Sequence, residues 1–334
     1  GHGLTLSERL LDRIDLLASL GSRFPNISNW ALGNSSMRWL LEKSFGIAAT
    51  RKLPKVTRRT FLKWAAREKL NRIDREAGHK VLYFVDQYVN WHNPLLGRAL
   101  VEVLRHQKVD VYIPTAQSPS FMAMIAAGDV QRARKLVKSN ISLLAEAVRQ
   151  GYTIVTTEPS AALALRQEYR HLFQSEETEL IAANTFEACS YLWNMHNRNE
   201  LELDFRPVSM SVMYHEPCHS RVLDANQPAL NLLRLIPGLQ VQTADAGCSG
   251  MAGTYGLQRN NFRTSLRIGW PLVSTMKGTS AQFGTTECTS CKLQMEQATT
   301  KPTVHPIAVM AYAYGRMPQF AAWFSGRNEG TVVN

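Results

Sequence analysis

The sequence lacks the features that would place it in several common classes. No apolar run approaches the ~20 residues that a membrane-spanning helix needs, and no charged stretch followed by an apolar one opens the chain. We therefore expect neither a membrane span nor secretion. There is also no Walker loop, no dinucleotide fingerprint, no Gly-x-Ser-x-Gly elbow and no His-Glu-x-x-His motif. The chain alone is predicted to bind no nucleotide cofactor and to oxidise no substrate.

Cysteine is scarce, with 5 residues in 334. An odd number without a secretion signal argues against a disulfide framework and for a reducing compartment. We therefore predict a cytoplasmic location, with peripheral attachment to the inner face of the membrane as an alternative. Cys189 lies apart from the other four, in the stretch Phe186–Asn194 that is predicted as a helix. We interpret it as a small hydrophobic residue of the core.

Acidic residues are in deficit, and the net charge is +11. Residues 51–80 hold much of the excess, with three acids against eleven bases, namely Arg51, Lys52, Lys55, Arg58, Arg59, Lys63, Arg67, Lys69, Arg72, Arg75 and Lys80. Such a cluster is either a solvated helix face with a loop or a surface for nucleic acid, anionic lipid or an acidic protein. No nucleic-acid-binding motif accompanies it. We expect it to pack against another part of a larger enzyme, or against an acidic partner, and not to bind nucleic acid.

The sequence pattern predicts an α/β fold. Residues 1–78 are predicted to form a helical N-terminal segment, which opens with the capping-box pattern Thr5-x-x-Glu8. After it, short β-branched and aromatic runs alternate with longer helical stretches, which is typical of parallel sheets with crossover helices. We place a first α/β unit at 79–180 and a second at 181–334.

The two units are predicted to be tandem copies of one pattern. The strand start at Val81 corresponds to Val212, an offset of 131 residues, and Thr157 corresponds to Thr286, an offset of 129. Two anchors that agree this closely indicate a duplication. Each copy then forms a βαβαβ unit with a mainly parallel sheet, and the two copies are expected to pack together.

Four cysteines form the constellation that carries chemistry. Each follows a predicted strand, in the pattern Cys218-x29-Cys248-x39-Cys288-x2-Cys291. Ligands of open α/β sheets collect at the carboxyl ends of the strands, so the three loops are expected to converge. Thiolates select zinc or iron–sulfur centres, and the glycines near Cys248 would admit a bulky inorganic group. The spacing predicts one metal site.

The first unit serves as an internal control for this site. Gln87 stands opposite Cys218, the loop 117–120 matches that of Cys248, and the CxxC pair is matched by Pro159 and Ala162. None of these positions in the first unit carries a cysteine ligand. Four cysteines with purely structural roles would not be expected to be absent together from one copy of a duplication.

Three histidines lie near the cysteines or the end of the second unit, namely His215, His219 and His305. Each could be a ligand or could donate a hydrogen bond to the metal group. The alternative, which we favour for each taken alone, is a histidine whose ring is satisfied by nearby backbone groups. Glu216 and Glu287 lie beside ligands, but nothing in the sequence marks either as an acid–base catalyst.

Three segments, at 214–219, 247–256 and 287–292, resemble the cysteine-rich CCG domain. This domain occurs in pairs in heterodisulfide reductase and in the iron–sulfur subunits of anaerobic glycerol-3-phosphate dehydrogenase and of glycolate and lactate oxidases. The resemblance covers about residues 79–315. With its helical start, the chain is most similar to the C-terminal part of fused FAD-binding and iron–sulfur-binding oxidoreductases of the D-2-hydroxyglutarate or D-lactate dehydrogenase type.

This resemblance implies a [4Fe–4S] cluster held by Cys218, Cys248, Cys288 and Cys291. The paired cysteines of the family appear here as Cys248-Ser249, so a five-cysteine cluster is not implied, and zinc is the alternative metal. The implied function is an electron-transfer module of an FAD-dependent 2-hydroxy-acid dehydrogenase. Its partners would be flavin-containing and ferredoxin-type modules of the same polypeptide or complex, with FAD bound outside these residues. The rival interpretation is a structural or docking domain with a zinc site.

Overall fold

The computed structural model describes residues 3–73, 78–244, 246–325 and 332–333. Helices dominate the start of the chain, at Leu6–Leu11, Ile14–Gly21, Pro25–Gly33, Ser35–Phe45 and Phe61–Arg67. The predicted capping box is confirmed, since the Glu8 backbone N–H donates to Thr5 Oγ1 at 3.3 Å and the Thr5 N–H donates to Glu8 Oε2 at 2.8 Å. These bonds satisfy donors that the first helical turn would otherwise leave unpaired.

The described strands form two four-stranded sheets and one short ribbon. In chain order they are β1 Leu53–Pro54, β2 Lys80–Tyr83, β3 Asp110–Tyr112, β4 Thr153–Thr156, β5 Thr185–Glu187, β6 Ser211–Tyr214, β7 Gln240–Thr243, β8 Phe283–Thr285, β9 Thr303–Val304 and β10 Val332–Val333. The sheets have the orders β3-β2-β4-β5 and β7-β6-β8-β9, with every pairing parallel. β1 and β10 pair antiparallel. The predicted α/β class with two tandem units is confirmed.

Helices connect the strands of both sheets. In the first unit they span Gln87–Trp91, Pro94–His106, Met122–Ala126, Val130–Arg149, Pro159–Leu163, Tyr169–Leu172 and Glu176–Ala183, with a π-helical turn at Ala164–Glu168. Helix Ala188–Asn197 leads to the second unit, whose helices are Cys218–Leu223, Pro228–Arg234, Arg259–Ile268, Trp270–Gly278, Thr289–Glu296, Pro306–Ala313 and Phe320–Phe324, with a 3-10 turn at Tyr255–Leu257. No helix among the described residues is long and apolar enough to cross a membrane.

The strand registers refine the duplication. Tyr83 pairs with Val155 in the first sheet, and Tyr214 pairs with Thr285 in the second. Because Tyr83 and Tyr214 occupy the same place in β2 and β6, the offset between β4 and β8 is 130 residues and not 129. The Thr-Thr-Glu triplets at 156–158 and 285–287 suggest an offset of 129. The strand pairing instead places Thr156, and not Thr157, opposite Thr286.

This shift changes two correspondences at the cysteines. Glu158 stands opposite Cys288, and Ala161 stands opposite Cys291, in place of Pro159 and Ala162. The conclusion drawn from the control is unaffected, because neither new residue is a cysteine.

One hydrophobic core joins the two units. It contains buried residues of both sheets, among them Tyr83 and Val155 of the first and Tyr214 and Phe283 of the second. β5, at residues 185–187, pairs with the first sheet, although it follows the predicted end of the first unit at residue 180. Because the sheets share a core, their carboxyl edges keep a fixed relation, and this relation positions the site.

Candidate metal centre

The four cysteines lie at the carboxyl edge of the second sheet. Cys218 begins the helix that follows β6, and Cys248 lies in the loop that follows β7. Cys288 is the N-cap of helix Thr289–Glu296 after β8, and Cys291 lies in the first turn of that helix. Parallel strands end at one edge, so three loops bring the thiols to the same region.

The thiols form two interacting pairs. Burial raises the pKa of Cys218, and the nearby Cys248 and Cys291 thiols raise it further. A hydrogen bond with the Cys288 thiol holds the pKa of Cys291 well below its usual range, while that of Cys288 is raised well above. Cys288 and Cys291 are buried, whereas Cys218 and Cys248 are exposed. The site is therefore closed on one side and open on the other.

The four thiols do not form a ready-made single-ion site among the described residues. Within the described ranges, no three His, Cys, Asp or Glu side chains already stand in a group that could hold a metal ion. One zinc ion needs its sulfurs at ~2.3 Å from a common centre.

The loop that carries Cys248 is shaped by backbone of positive φ. Gly250 has φ +79°, and a Cβ there would overlap the carbonyl oxygen of Ser265, so only glycine fits. The Gly250 N–H donates to Cys248 Sγ at 3.3 Å. A Cβ on Gly247, at φ +63°, would meet no atom within 4 Å. The loop therefore packs tightly behind the thiol and leaves open space beside it.

His215 is buried beside Cys291. Its side chain is 0% exposed, and neither ring nitrogen bonds an oxygen or nitrogen atom within the described part of the chain. Its backbone N–H donates to Thr285 O at 3.0 Å, which fixes the residue at the end of β6. Together with the hydrogen bond from Cys288, a hydrogen bond with the His215 ring lowers the pKa of the Cys291 thiol. The prediction of a locally satisfied ring is wrong for His215.

The other two histidines behave differently. His305 Nε2 lies 2.9 Å from Thr157 O, and the Ile307 N–H donates to His305 Nδ1 at 3.0 Å. The predicted local satisfaction is therefore confirmed for His305, whose pKa burial lowers to about 4. Burial also lowers the pKa of His219, the partly exposed residue beside Cys218.

Arg51 braces the site from the N-terminal segment. It is 2% exposed, and it donates to Gly256 O at 3.0 Å, to Gln294 Oε1 at 2.6 Å and to Ser265 Oγ at 3.1 Å. Burial lowers its pKa to about 10. Gln294 lies on the helix of Cys291, so Arg51 ties that helix to the segment after the Cys248 loop. Its place in a basic cluster concealed this role, because the sequence does not distinguish a buried arginine from its exposed neighbours.

The first unit also supports the site. Glu158 Oε2 accepts hydrogen bonds from the Thr289 N–H at 3.1 Å and from Thr289 Oγ1 at 2.6 Å. Thr289 lies between the two cysteines of the CxxC pair, so the unit without cysteines holds the start of their helix. Burial raises the pKa of Glu158 to about 7. The strand register places Glu158 opposite Cys288 in the duplicated pattern.

Cys189 lies outside the three loops that carry the other cysteines. It is 0% exposed in helix Ala188–Asn197 and belongs to the shared core. Burial raises its pKa well above the usual range. The prediction of a buried, small hydrophobic residue is confirmed.

Comparison with known proteins points to one family. A family model described as a cysteine-rich domain, CCG, matches residues 212–296. One relative belongs to the anaerobic glycerol-3-phosphate dehydrogenase of Escherichia coli strain K12. This dehydrogenase subunit is 31% identical over 312 residues, which is 92% of this chain and 77% of that protein.

Two further relatives are more distant. One, from the fumarate reductase (CoM/CoB) of Methanothermobacter marburgensis, is 24% identical over 71% of this chain and 46% of its own length. Lactate utilization protein A of Geobacillus thermodenitrificans is 25% identical over 54% of this chain and 75% of its own length. The matched cysteine-rich segment contains all four clustered cysteines, and the similarity to the first relative extends across nearly the whole chain. The chain therefore belongs to the CCG cysteine-rich family, together with its relative from anaerobic glycerol-3-phosphate dehydrogenase.

Proposed function

We propose that this chain is an electron-transfer module that holds one [4Fe–4S] cluster through Cys218, Cys248, Cys288 and Cys291. The observation that carries the proposal is the arrival of four thiols at one sheet edge from three separate loops. The first unit has the same strand order and no cysteine at the matching positions. Thiolates are the usual ligands of such clusters.

The surroundings of the thiols fit a group larger than one ion. The open space beside Gly247 leaves room for inorganic sulfide. The ring of His215, beside the Cys291 thiol, offers an N–H donor on the buried side, and donors to sulfur are common around these clusters.

Each part of the site then has a defined task. An iron–sulfur cluster here would accept and release single electrons. Cys288 and Cys291, being buried, would hold it on the side that excludes water, while the exposed Cys218 and Cys248 would leave the other side accessible to a redox partner. Arg51 and Glu158 keep the helix of Cys291 in place through their hydrogen bonds.

We further propose that the electrons come from a flavin that has oxidised a 2-hydroxy acid or a related alcohol. The names of the relatives support a dehydrogenase or reductase complex, since they include part of a glycerol-3-phosphate dehydrogenase and a lactate utilization protein. Hydride chemistry would belong to the flavin. The flavin-containing and ferredoxin-type modules would be parts of the same polypeptide or partner subunits.

Iron and acid-labile sulfide in protein reconstituted without oxygen test the proposal. We expect about four irons per chain for a cubane. Replacing any of Cys218, Cys248, Cys288 or Cys291 by serine should remove most of the iron, while the matched control Cys189→Ser should retain it. Uptake of one zinc and no iron would favour the structural domain instead. Loss of iron in Cys189→Ser but not in Cys248→Ser would refute the ligand assignment.

A further inference from the structure

The two units provide a comparison for His215. Phe84 is its counterpart in the first sheet, because the Phe84 N–H donates to Val155 O at 2.8 Å just as the His215 N–H donates to Thr285 O. Both side chains are 0% exposed. Phe84 packs in an apolar core cluster. The fold therefore accepts an apolar ring at this position where no cysteines are present.

A buried imidazole that meets no oxygen or nitrogen partner has a free-energy cost that phenylalanine avoids. Buried polar groups are nearly always hydrogen-bonded, so an exception calls for an explanation such as an absent ligand. The protein carries this cost only in the unit that has the four cysteines. The ring also lies near Cys291, one of the two buried thiols.

We propose that His215 is a positioning residue that donates a ring N–H hydrogen bond to a sulfur of the group held by the cysteines, and thereby raises its reduction potential. This inference rests on the proposed function. The reduced group carries one more negative charge than the oxidised group, so an N–H donor stabilises the reduced form more. Only one electron is transferred, and His215 forms and breaks no covalent bond.

The experiment compares wild type with His215→Phe and His215→Asn. The phenylalanine copies the residue of the first unit, and the asparagine retains an N–H donor. His106→Asn is the control, since His106 ends helix Pro94–His106, which runs from the carboxyl edge of the first sheet back to the amino edge. Iron and sulfide are counted after anaerobic reconstitution, and the midpoint potential is measured by dithionite titration with electron paramagnetic resonance. Urea unfolding of the metal-free proteins is the second readout.

We expect His215→Phe to bind wild-type iron and to favour the oxidised form at least tenfold, which is about 59 mV lower for a one-electron couple. His215→Asn should recover part of the potential, and His106→Asn should match wild type. Metal-free His215→Phe should resist urea better than wild type, because two unpaired nitrogens are removed.

An unchanged potential in His215→Phe with full iron content would overturn this inference and leave the proposed function intact. Loss of iron in both His215 variants would make the histidine a ligand and would also overturn it. A wild-type protein that binds no iron would refute the proposed function, and the inference with it.

Discussion

Replacing Arg51 by methionine is expected to weaken both the fold and the metal site. Methionine fills similar space but donates no hydrogen bond. Four acceptors, on Gly256, Ser265, Gln294 and Gln297, would lose the guanidinium. Gln297 Oε1 would keep the Lys52 N–H as a donor, which leaves three acceptors to consider. Because Gln294 shares a helix with Cys291, the loss is transmitted directly to the CxxC pair.

The magnitude follows from two opposing contributions. Each acceptor left unpaired costs about 1–3 kcal/mol, so three together cost on the order of 6 kcal/mol. Removing the cation also relieves its desolvation. Burial lowers the pKa of Arg51 to about 10, and this lowering corresponds to about 3 kcal/mol at ~1.4 kcal/mol per pKa unit. The net loss of unfolding free energy is about 3 kcal/mol.

Urea unfolding of the metal-free protein, followed by circular dichroism, measures this loss. Arg58→Met is the matched control, because it removes the same charge from an exposed side chain of the same segment and should cost under about 0.5 kcal/mol. Iron retention after reconstitution should fall in Arg51→Met and not in the control. Equal stability and equal iron content in the two variants would refute the reasoning.

Two further predictions concern packing and pH. Gly269→Ala should lose about 1–3 kcal/mol of stability, because its Cβ would overlap Ser249 O. Gly278→Ala is the control and should keep its stability, since its Cβ meets nothing within 4 Å. Equal melting temperatures of the two variants would contradict this prediction. Burial lowers the pKa of His92 from 6.5 to about 4. As the pH falls, His92 therefore binds a proton in the unfolded chain at a higher pH than in the folded protein. Wild type should lose stability relative to His92→Asn as the pH falls from 6.5 towards 4. Parallel stability–pH curves for the two proteins would count against that assignment.

The sequence determined the features that depend on local pattern. The capping box at Thr5, the alternation of strands and helices and the duplicated strand order all follow from short-range spacing. The grouping of Cys218 and Cys248 with the CxxC pair was predictable for a related reason. Each cysteine follows a parallel strand, and such strands end at a common edge.

Only the tertiary structure decided how the two units are aligned and what supports the site. The register of β4 and β8 is set by hydrogen bonds to β2 and β6, and it placed Glu158 opposite Cys288, which the repeated Thr-Thr-Glu triplet had obscured. The burial of Arg51 depends on acceptors more than 200 positions away in the chain. The residue type determines what a side chain can donate, and long-range packing determines whether water or protein accepts it. That packing placed Arg51 against buried acceptors and the ring of His215 beside the Cys291 thiol.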